Sequence, residues 1–119
     1  MKHYFFTLAV AIVIAACTNE TKTEKATIAP ERDENYTKGL ALVANSDCLT
    51  CHKVDEKMTG PSYKEIAARY EATDANIKML AEKIIKGGKG NWGEVMMTPH
   101  ANLSQEDAET MVKYILQLK

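Results

Sequence analysis

The chain has 119 residues, with 15 basic and 16 acidic side chains and a formal net charge of −1. This length allows one small globular domain with flanking segments. The charge balance argues against the basic stripe that nucleic acid binding requires, so no nucleic acid partner is expected. The chain has only three cysteines, too few for a disulfide-stapled secreted scaffold.

The N-terminus has the pattern of an export signal. Lys2 is followed by an uncharged segment from Tyr4 to Ala16, which matches the basic and apolar regions of a signal peptide. We predict a signal peptide over residues 1–16, because this segment is shorter than the roughly 20 apolar residues that span a bilayer. An uncleaved N-terminal anchor is the alternative. Cleavage would remove one basic residue and leave a net charge of −2.

The apolar segment ends in Ile14-Ala15-Ala16-Cys17, which resembles the lipobox of bacterial lipoprotein precursors. The resemblance implies lipidation of Cys17 and a membrane-anchored lipoprotein on the periplasmic side, with inner and outer membrane both possible. Beyond it, residues 18–35 contain no aromatic residue and one large aliphatic residue, Ile28. Such a composition buries too little apolar surface to fold, so residues 17–35 are predicted to be a flexible tether. The alternative is that part of this segment packs as an N-terminal arm.

The remaining chain has the periodicity of short amphipathic helices. Apolar residues recur at helical spacing, and cap residues mark the helix starts, as in the capping-box pattern from Ser62 to Glu65. We predict four helices, over residues 37–45, from residue 62 onward after Pro61, over 74–86 and over 104–118. No alternating strand pattern is visible, so the predicted fold class is all-α. The long glycine-rich connection over residues 87–102 is predicted to wrap around a ligand.

The motif Cys48-Leu49-Thr50-Cys51-His52 admits several thiol chemistries. A structural zinc site needs four ligands, and the predicted domain offers only His52 and His100 besides the two cysteines. A dithiol oxidoreductase would place the pair after a strand, and no strand is predicted. Two free structural cysteines on a helix remain an alternative, although an oxidising compartment would not leave them unreacted. C-x-x-C-H is the spacing of covalent c-type haem attachment, and we favour that interpretation.

Two longer segments extend this motif. CLTCHKVDEKMTGPSYKEIAARY and IIKGGKGNWGEVMMTPHANLSQEDAETMVKYILQLK resemble the short periplasmic class I cytochromes c of bacteria, in the same order along the chain. The resemblance covers residues 36–119, which we take as the cytochrome c domain. It implies about four short helices wrapped around one haem c.

The resemblance assigns roles on the proximal side of this haem. Cys48 and Cys51 correspond to the covalent attachment points, and His52 to the proximal iron ligand. The carbonyl of Pro61 would accept the other ring N–H and fix the tautomer of the imidazole. Gly60 would let the backbone approach the ring closely.

On the distal side, Met97 resembles the second iron ligand, and Trp92 resembles the residue that donates its indole N–H to a haem propionate. The chain departs from the family here, because Met96 precedes Met97 and Thr98-Pro99-His100 follows it. We favour Met97, which stands directly before Thr98-Pro99 in the register of the family. Met96 remains the alternative ligand. His100 could replace methionine in principle, but it is expected to be an exposed loop residue.

The resemblance also predicts where helices meet. Gly39, Val43 and Tyr114 fall where the first and last helices of the family cross. The glycine would permit close approach, and the aromatic ring would fill the joint.

These assignments predict an electron carrier and not an enzyme, because iron with two protein ligands has no open site for a small-molecule substrate. The expected partners are donor and acceptor redox proteins of unknown identity, and the membrane through the lipid. Alternatives are a haem enzyme or a gas- or peroxide-reactive protein with a labile methionine, and a haem subunit of a larger respiratory complex. A positive rim that steers acidic partners is a further hypothesis, against an ordinary solvated surface; it would comprise Lys53, Lys57, Lys64, Lys86 and Lys89.

Overall fold

The computed structural model describes residues 32–119. The predicted signal peptide, Cys17 and the tether as far as residue 31 lie outside the described residues. Four α-helices and one short 3-10 helix occur in the described part: α1 Glu34–Ala44, the 3-10 helix Asp47–Thr50, α2 Tyr63–Arg69, α3 Asp74–Lys86 and α4 Gln105–Leu116. Two short strands, β1 Gly88–Gly90 and β2 Gly93–Met97, lie between α3 and α4. Within residues 32–119, no helix is both long enough and apolar enough to cross a membrane.

The four predicted helices are confirmed, and each begins at a side-chain cap. Asp33 accepts from the backbone N–H of Tyr36 across 2.7 Å, and Thr73 and Ser104 cap α3 and α4 in the same way. The cap at Asp33 explains why α1 begins at Glu34, earlier than the apolar periodicity indicated. The predicted tether therefore overlaps this helix by its last two residues.

The predicted capping box at the start of α2 is present and positions the preceding segment. The backbone N–H of Ser62 donates to Glu65 Oε2 at 2.7 Å, and the N–H of Glu65 donates to Ser62 Oγ at 3.1 Å. The bond from the Ser62 backbone holds the pKa of the Glu65 carboxyl below its usual value. Because α2 starts directly after Pro61, the box also fixes where the Pro61 carbonyl points.

Helix α4 is the centre of the core and packs against α1, α2 and α3. It crosses α1 at Gly39, where an added Cβ would collide with the Tyr114 Cβ and lie 2.6 Å from the Thr110 carbonyl oxygen. Tyr114 packs edge-on against Tyr36 at a centroid distance of 5.0 Å. Val43 is buried at the same crossing. The predicted roles of Gly39, Val43 and Tyr114 therefore match the packing of these two helices.

The small antiparallel sheet corrects the prediction that the domain has no strand. Gly88 pairs with Met97 and Gly90 with Gly93, so β1 and β2 form a hairpin inside the segment predicted as a loop. The hairpin shows little alternation of apolar and polar residues, because glycines occupy three of its four paired positions and most side chains of β2 are exposed. The hairpin brings the two adjacent methionines to a defined place beside the core.

Candidate functional site

The CxxCH motif forms a tight turn at the end of the 3-10 helix. The Cys48 carbonyl accepts from the backbone N–H groups of Cys51 at 3.2 Å and His52 at 3.0 Å. This turn brings both thiols and the imidazole to the wall of one cavity. Burial, with the nearby charge of Asp47, raises the pKa of the Cys48 thiol.

The His52 ring is held on several sides. Its Nδ1–H donates to the Pro61 carbonyl oxygen at 2.7 Å, which leaves the lone pair of the neutral ring on Nε2. An alanine Cβ at Gly60 would lie only 2.5 Å from His52 Cε1. Tyr63 stacks on the imidazole with a centroid distance of 5.6 Å and an angle of 16°. The structure therefore brings together His52, Gly60 and Pro61 as expected, and adds Tyr63.

Tyr63 is the largest fully buried side chain of the domain, with 2% of its surface exposed. Its hydroxyl is buried and has no hydrogen-bond partner within residues 32–119. Burial raises the pKa of this phenol, so the hydroxyl stays protonated at neutral pH. No sequence signal distinguishes Tyr63, because a tyrosine after a helix cap is a common core residue.

A cavity of about 320 Å³ lies beside this turn. Its walls include apolar side chains from all four helices, together with the motif residues and the 88–100 segment. The non-aromatic apolar side chains that the helices contribute are Val43, Ile66, Leu80, Ile84, Met111, Val112 and Ile115. An apolar cavity with two thiols and an imidazole at its edge fits a flat, covalently attached macrocycle that carries a metal.

A free metal ion fits less well than such a macrocycle. Within residues 32–119, no group of three or more His, Cys, Asp or Glu side chains is arranged to hold a metal ion. A structural zinc site needs four such ligands. The donor set therefore favours haem attachment over zinc.

The two adjacent methionines differ in their surroundings, although both line the cavity. Met97 is half-buried and packs against the hydrophobic core. Met96 has 61% of its surface exposed. Met97 is the last residue of β2 and the residue of that strand that packs against the core, whereas the preceding β2 side chains are exposed.

Trp92 lies half-buried at the cavity wall and has a partner that the sequence did not reveal. The Arg69 guanidinium lies 4.5 Å from the centroid of the indole ring, within the range of a cation–π contact. Arg69 Nη1 also donates to the Asn91 carbonyl oxygen at 2.8 Å. Arg69 thus fixes both the ring and the backbone before it.

His100 differs from its prediction as an exposed loop residue. Its side chain is only 19% exposed, and it lines the cavity. Nε2–H donates to Asp47 Oδ1 at 2.7 Å, and this hydrogen bond lowers the pKa of the Asp47 carboxyl. The backbone N–H of His100 donates to the Ile84 carbonyl at 3.1 Å. These two long-range contacts draw the side chain inward.

Comparisons with known proteins agree on the family and the fold. The family model described as cytochrome c matches residues 36–119. Cytochrome c-551 of Allochromatium vinosum is 40% identical over 79 residues, which cover 66% of this chain and 84% of that protein. The crystal structure of wild-type Nitrosomonas europaea cytochrome c552 is 40% identical and superposes with a TM-score of 0.63, over 67% of this chain and 99% of that one.

A more distant structure shows the same fold. The class 1 cytochrome MtoD of Sideroxydans lithotrophicus is 27% identical, with a TM-score of 0.57 over 69% of this chain and 94% of that one. The architecture of the described residues is therefore the small class I cytochrome c fold, with four helices and a two-stranded sheet.

Proposed function

The chain belongs to the cytochrome c family, and from this premise we propose that it is an electron carrier whose haem iron is closed by His52 and Met97. One haem c is bound covalently through Cys48 and Cys51, as in the family. The observation that carries the proposal is that His52 and Met97, the half-buried methionine of the pair, line one apolar cavity with both thiols. When bound, the haem supplies a one-electron redox centre.

On the proximal side, the protein orients the Nε2 atom of His52. The bond from Nδ1–H to the Pro61 carbonyl keeps the proton on that atom, so that Nε2 is available as the iron ligand. Hydrogen bonds of this kind fix the orientation of a ligating histidine and raise its basicity. Tyr63 on one side of the ring and Gly60 against it restrict the imidazole to this position.

On the distal side, Met97 supplies a thioether from a position packed against the core. Ligation of the iron by methionine together with histidine would raise the reduction potential. A packed side chain also resists displacement by an external ligand, because its departure would expose apolar surface. These features favour electron transfer over an enzyme or gas-reactive protein with a labile methionine.

We further assign Trp92 as the donor to a haem propionate. Its indole lies at the cavity wall, and Arg69 holds the ring in place. Tryptophan N–H groups in partly buried sites usually have a hydrogen-bond partner.

The assignment of the distal ligand predicts different spectra for the two methionine variants. Met97→Ala should abolish the sulfur-to-iron charge-transfer band of the ferric holoprotein and lower its reduction potential, because the thioether is lost. Met96→Ala is the matched control and should retain the band, since its side chain is mostly exposed. Absorption spectra and redox titrations of both variants test this. Loss of the band in the Met96 variant alone would make Met96 the ligand.

We also propose that the protein is exported and anchored to a membrane. The Ile14-Ala15-Ala16-Cys17 segment supports lipidation of Cys17, which would hold the domain on the periplasmic side of a membrane through at least two acyl chains. Redox partner proteins would then meet the domain near that surface.

The positive charge of the hypothesised rim is partly neutralised in the structure. Three of its five lysines have carboxylate partners: Lys64 with Asp55 at 2.6 Å, Lys86 with Glu82 at 2.9 Å and Lys89 with Glu94 at 2.6 Å. Lys53 and Lys57 form no ion pair with the rest of the described chain, and Lys57 lines the cavity. Steering of acidic partners would therefore depend chiefly on these two lysines.

A further inference from the structure

Two histidines line the cavity, and each has one ring nitrogen held by an oxygen acceptor. His52 Nδ1 donates to the Pro61 carbonyl and His100 Nε2 to the Asp47 carboxylate, both at 2.7 Å. The second nitrogen of His100, Nδ1, is buried and has no partner within residues 32–119. A buried polar atom without a partner is costly, so a ligand for this nitrogen would offset that cost.

The bond to Asp47 determines which nitrogen can act as a donor atom. Because a carboxylate only accepts, Nε2 carries the proton, and the neutral ring keeps its lone pair on Nδ1. A histidine whose other N–H is given to a carboxylate is the usual arrangement of a metal-ligating imidazole. His100 therefore has the hydrogen-bond environment of a ligand.

His100 is held by hydrogen bonds that do not involve the Met97 side chain. His100 lies three residues after Met97 and is fixed by its own contacts, the side-chain bond to Asp47 and the backbone bond to Ile84. Both residues line the same cavity. Removal of the Met97 side chain would leave the imidazole in the cavity and give it space to move.

We propose that His100 is a reserve iron ligand, which takes the distal position through Nδ1 when Met97 is absent, with the Asp47 carboxylate holding the opposite nitrogen. The role rests on the proposed function, in which Met97 is the ligand of the intact protein. Such a ligand would keep the iron closed to external molecules after loss of the methionine.

The test compares two holoproteins, Met97→Ala and the double variant Met97→Ala/His100→Ala, by absorption and electron paramagnetic resonance at neutral pH. The single variant should be low-spin with the signature of two imidazole ligands. The double variant should be high-spin, and its ferrous form should bind carbon monoxide at least 10-fold more tightly than that of the single variant. A high-spin Met97→Ala protein, or a double variant that stays low-spin, would overturn the role.

Two control variants identify the substitute ligand. Met97→Ala/Met96→Ala should remain low-spin, which removes Met96 as the substitute ligand. Met97→Ala/His100→Gln retains a side-chain donor for Asp47 without the imidazole, so it should be high-spin while its circular dichroism remains that of the folded single variant. This variant keeps the test decisive if the alanine double variant folds poorly.

The His100→Ala single variant separates this role from the proposed function. It should keep the sulfur-to-iron band of the wild type. A normal wild-type band together with a high-spin Met97→Ala protein contradicts only the reserve role. If the wild type shows the signature of two imidazole ligands and His100→Ala loses that signature, Met97 is not the ligand of the intact protein. This result would contradict the reserve role as well.

Discussion

Replacement of Gly60 by alanine is expected to displace His52 and to lower the free energy of unfolding of the holoprotein by about 2 to 4 kcal/mol, combining overpacking with loss of one hydrogen bond. The new Cβ would lie 2.5 Å from Cε1, 2.9 Å from Nδ1 and 3.0 Å from Nε2 of His52. Favourable contacts between carbon atoms lie at roughly 3.5 to 4.0 Å. The ring cannot easily retreat, because Tyr63 is stacked on it and is itself buried.

The measurement is denaturant unfolding of the holoprotein, followed by circular dichroism and by the haem absorption. Displacement of His52 should disturb the proximal ligand, so the haem spectrum and the reduction potential should change together with stability. Glu56→Ala is the control, because Glu56 is exposed and does not line the cavity, so it should shift stability by less than about 0.5 kcal/mol. A Gly60→Ala protein with wild-type stability and spectrum would show that the ring is not confined as described.

Gly39→Ala is expected to destabilise the protein, although glycine to alanine in an exposed helix interior normally stabilises by about 1 kcal/mol. The Cβ would collide with the Tyr114 side chain and lie 2.6 Å from the Thr110 carbonyl oxygen. Because a backbone atom of α4 is involved, the clash cannot be relieved by a rotamer change alone, and α1 would have to move away from α4. We expect a loss of about 1 to 3 kcal/mol.

Thr37→Ala in the same helix is the matched control for this variant. Thr37 is exposed, so alanine there should raise the free energy of unfolding by a few tenths of a kcal/mol. Urea midpoints of both variants show the sign directly. A higher midpoint for Gly39→Ala than for the wild type would contradict the close approach of α1 and α4.

The helices could be predicted because the residues that determine each helix lie close together in the sequence. Caps and apolar periodicity indicated all four, and the capping box at Ser62 formed as expected. The resemblance placed Gly39 and Val43 at the crossing of α1 and α4, and both are buried there. Periodicity alone would have favoured Leu40, which is 40% exposed. Periodicity counts large apolar residues, whereas the closest point of a helix crossing selects a small one.

The candidate site was predictable to the extent that its parts lie close in sequence. Pro61 is nine residues from His52, within one motif, and the bond between them is present. Asp47 and His100 are 53 residues apart, and Arg69 and Asn91 are 22 apart. Contacts of this kind are created by the packing of α3, the hairpin and the haem-attachment turn, so no local pattern signals them.

Binding of carbon monoxide to the reduced holoprotein at neutral pH tests the central claim most directly. Iron closed by His52 and Met97 has no free position, so the absorption spectrum should stay unchanged in buffer saturated with the gas. The same measurement on Met97→Ala/His100→Ala should show ready binding, which proves that the cavity admits the gas. Ready binding by the wild-type protein would contradict a closed electron carrier and would favour a gas- or peroxide-reactive haem protein.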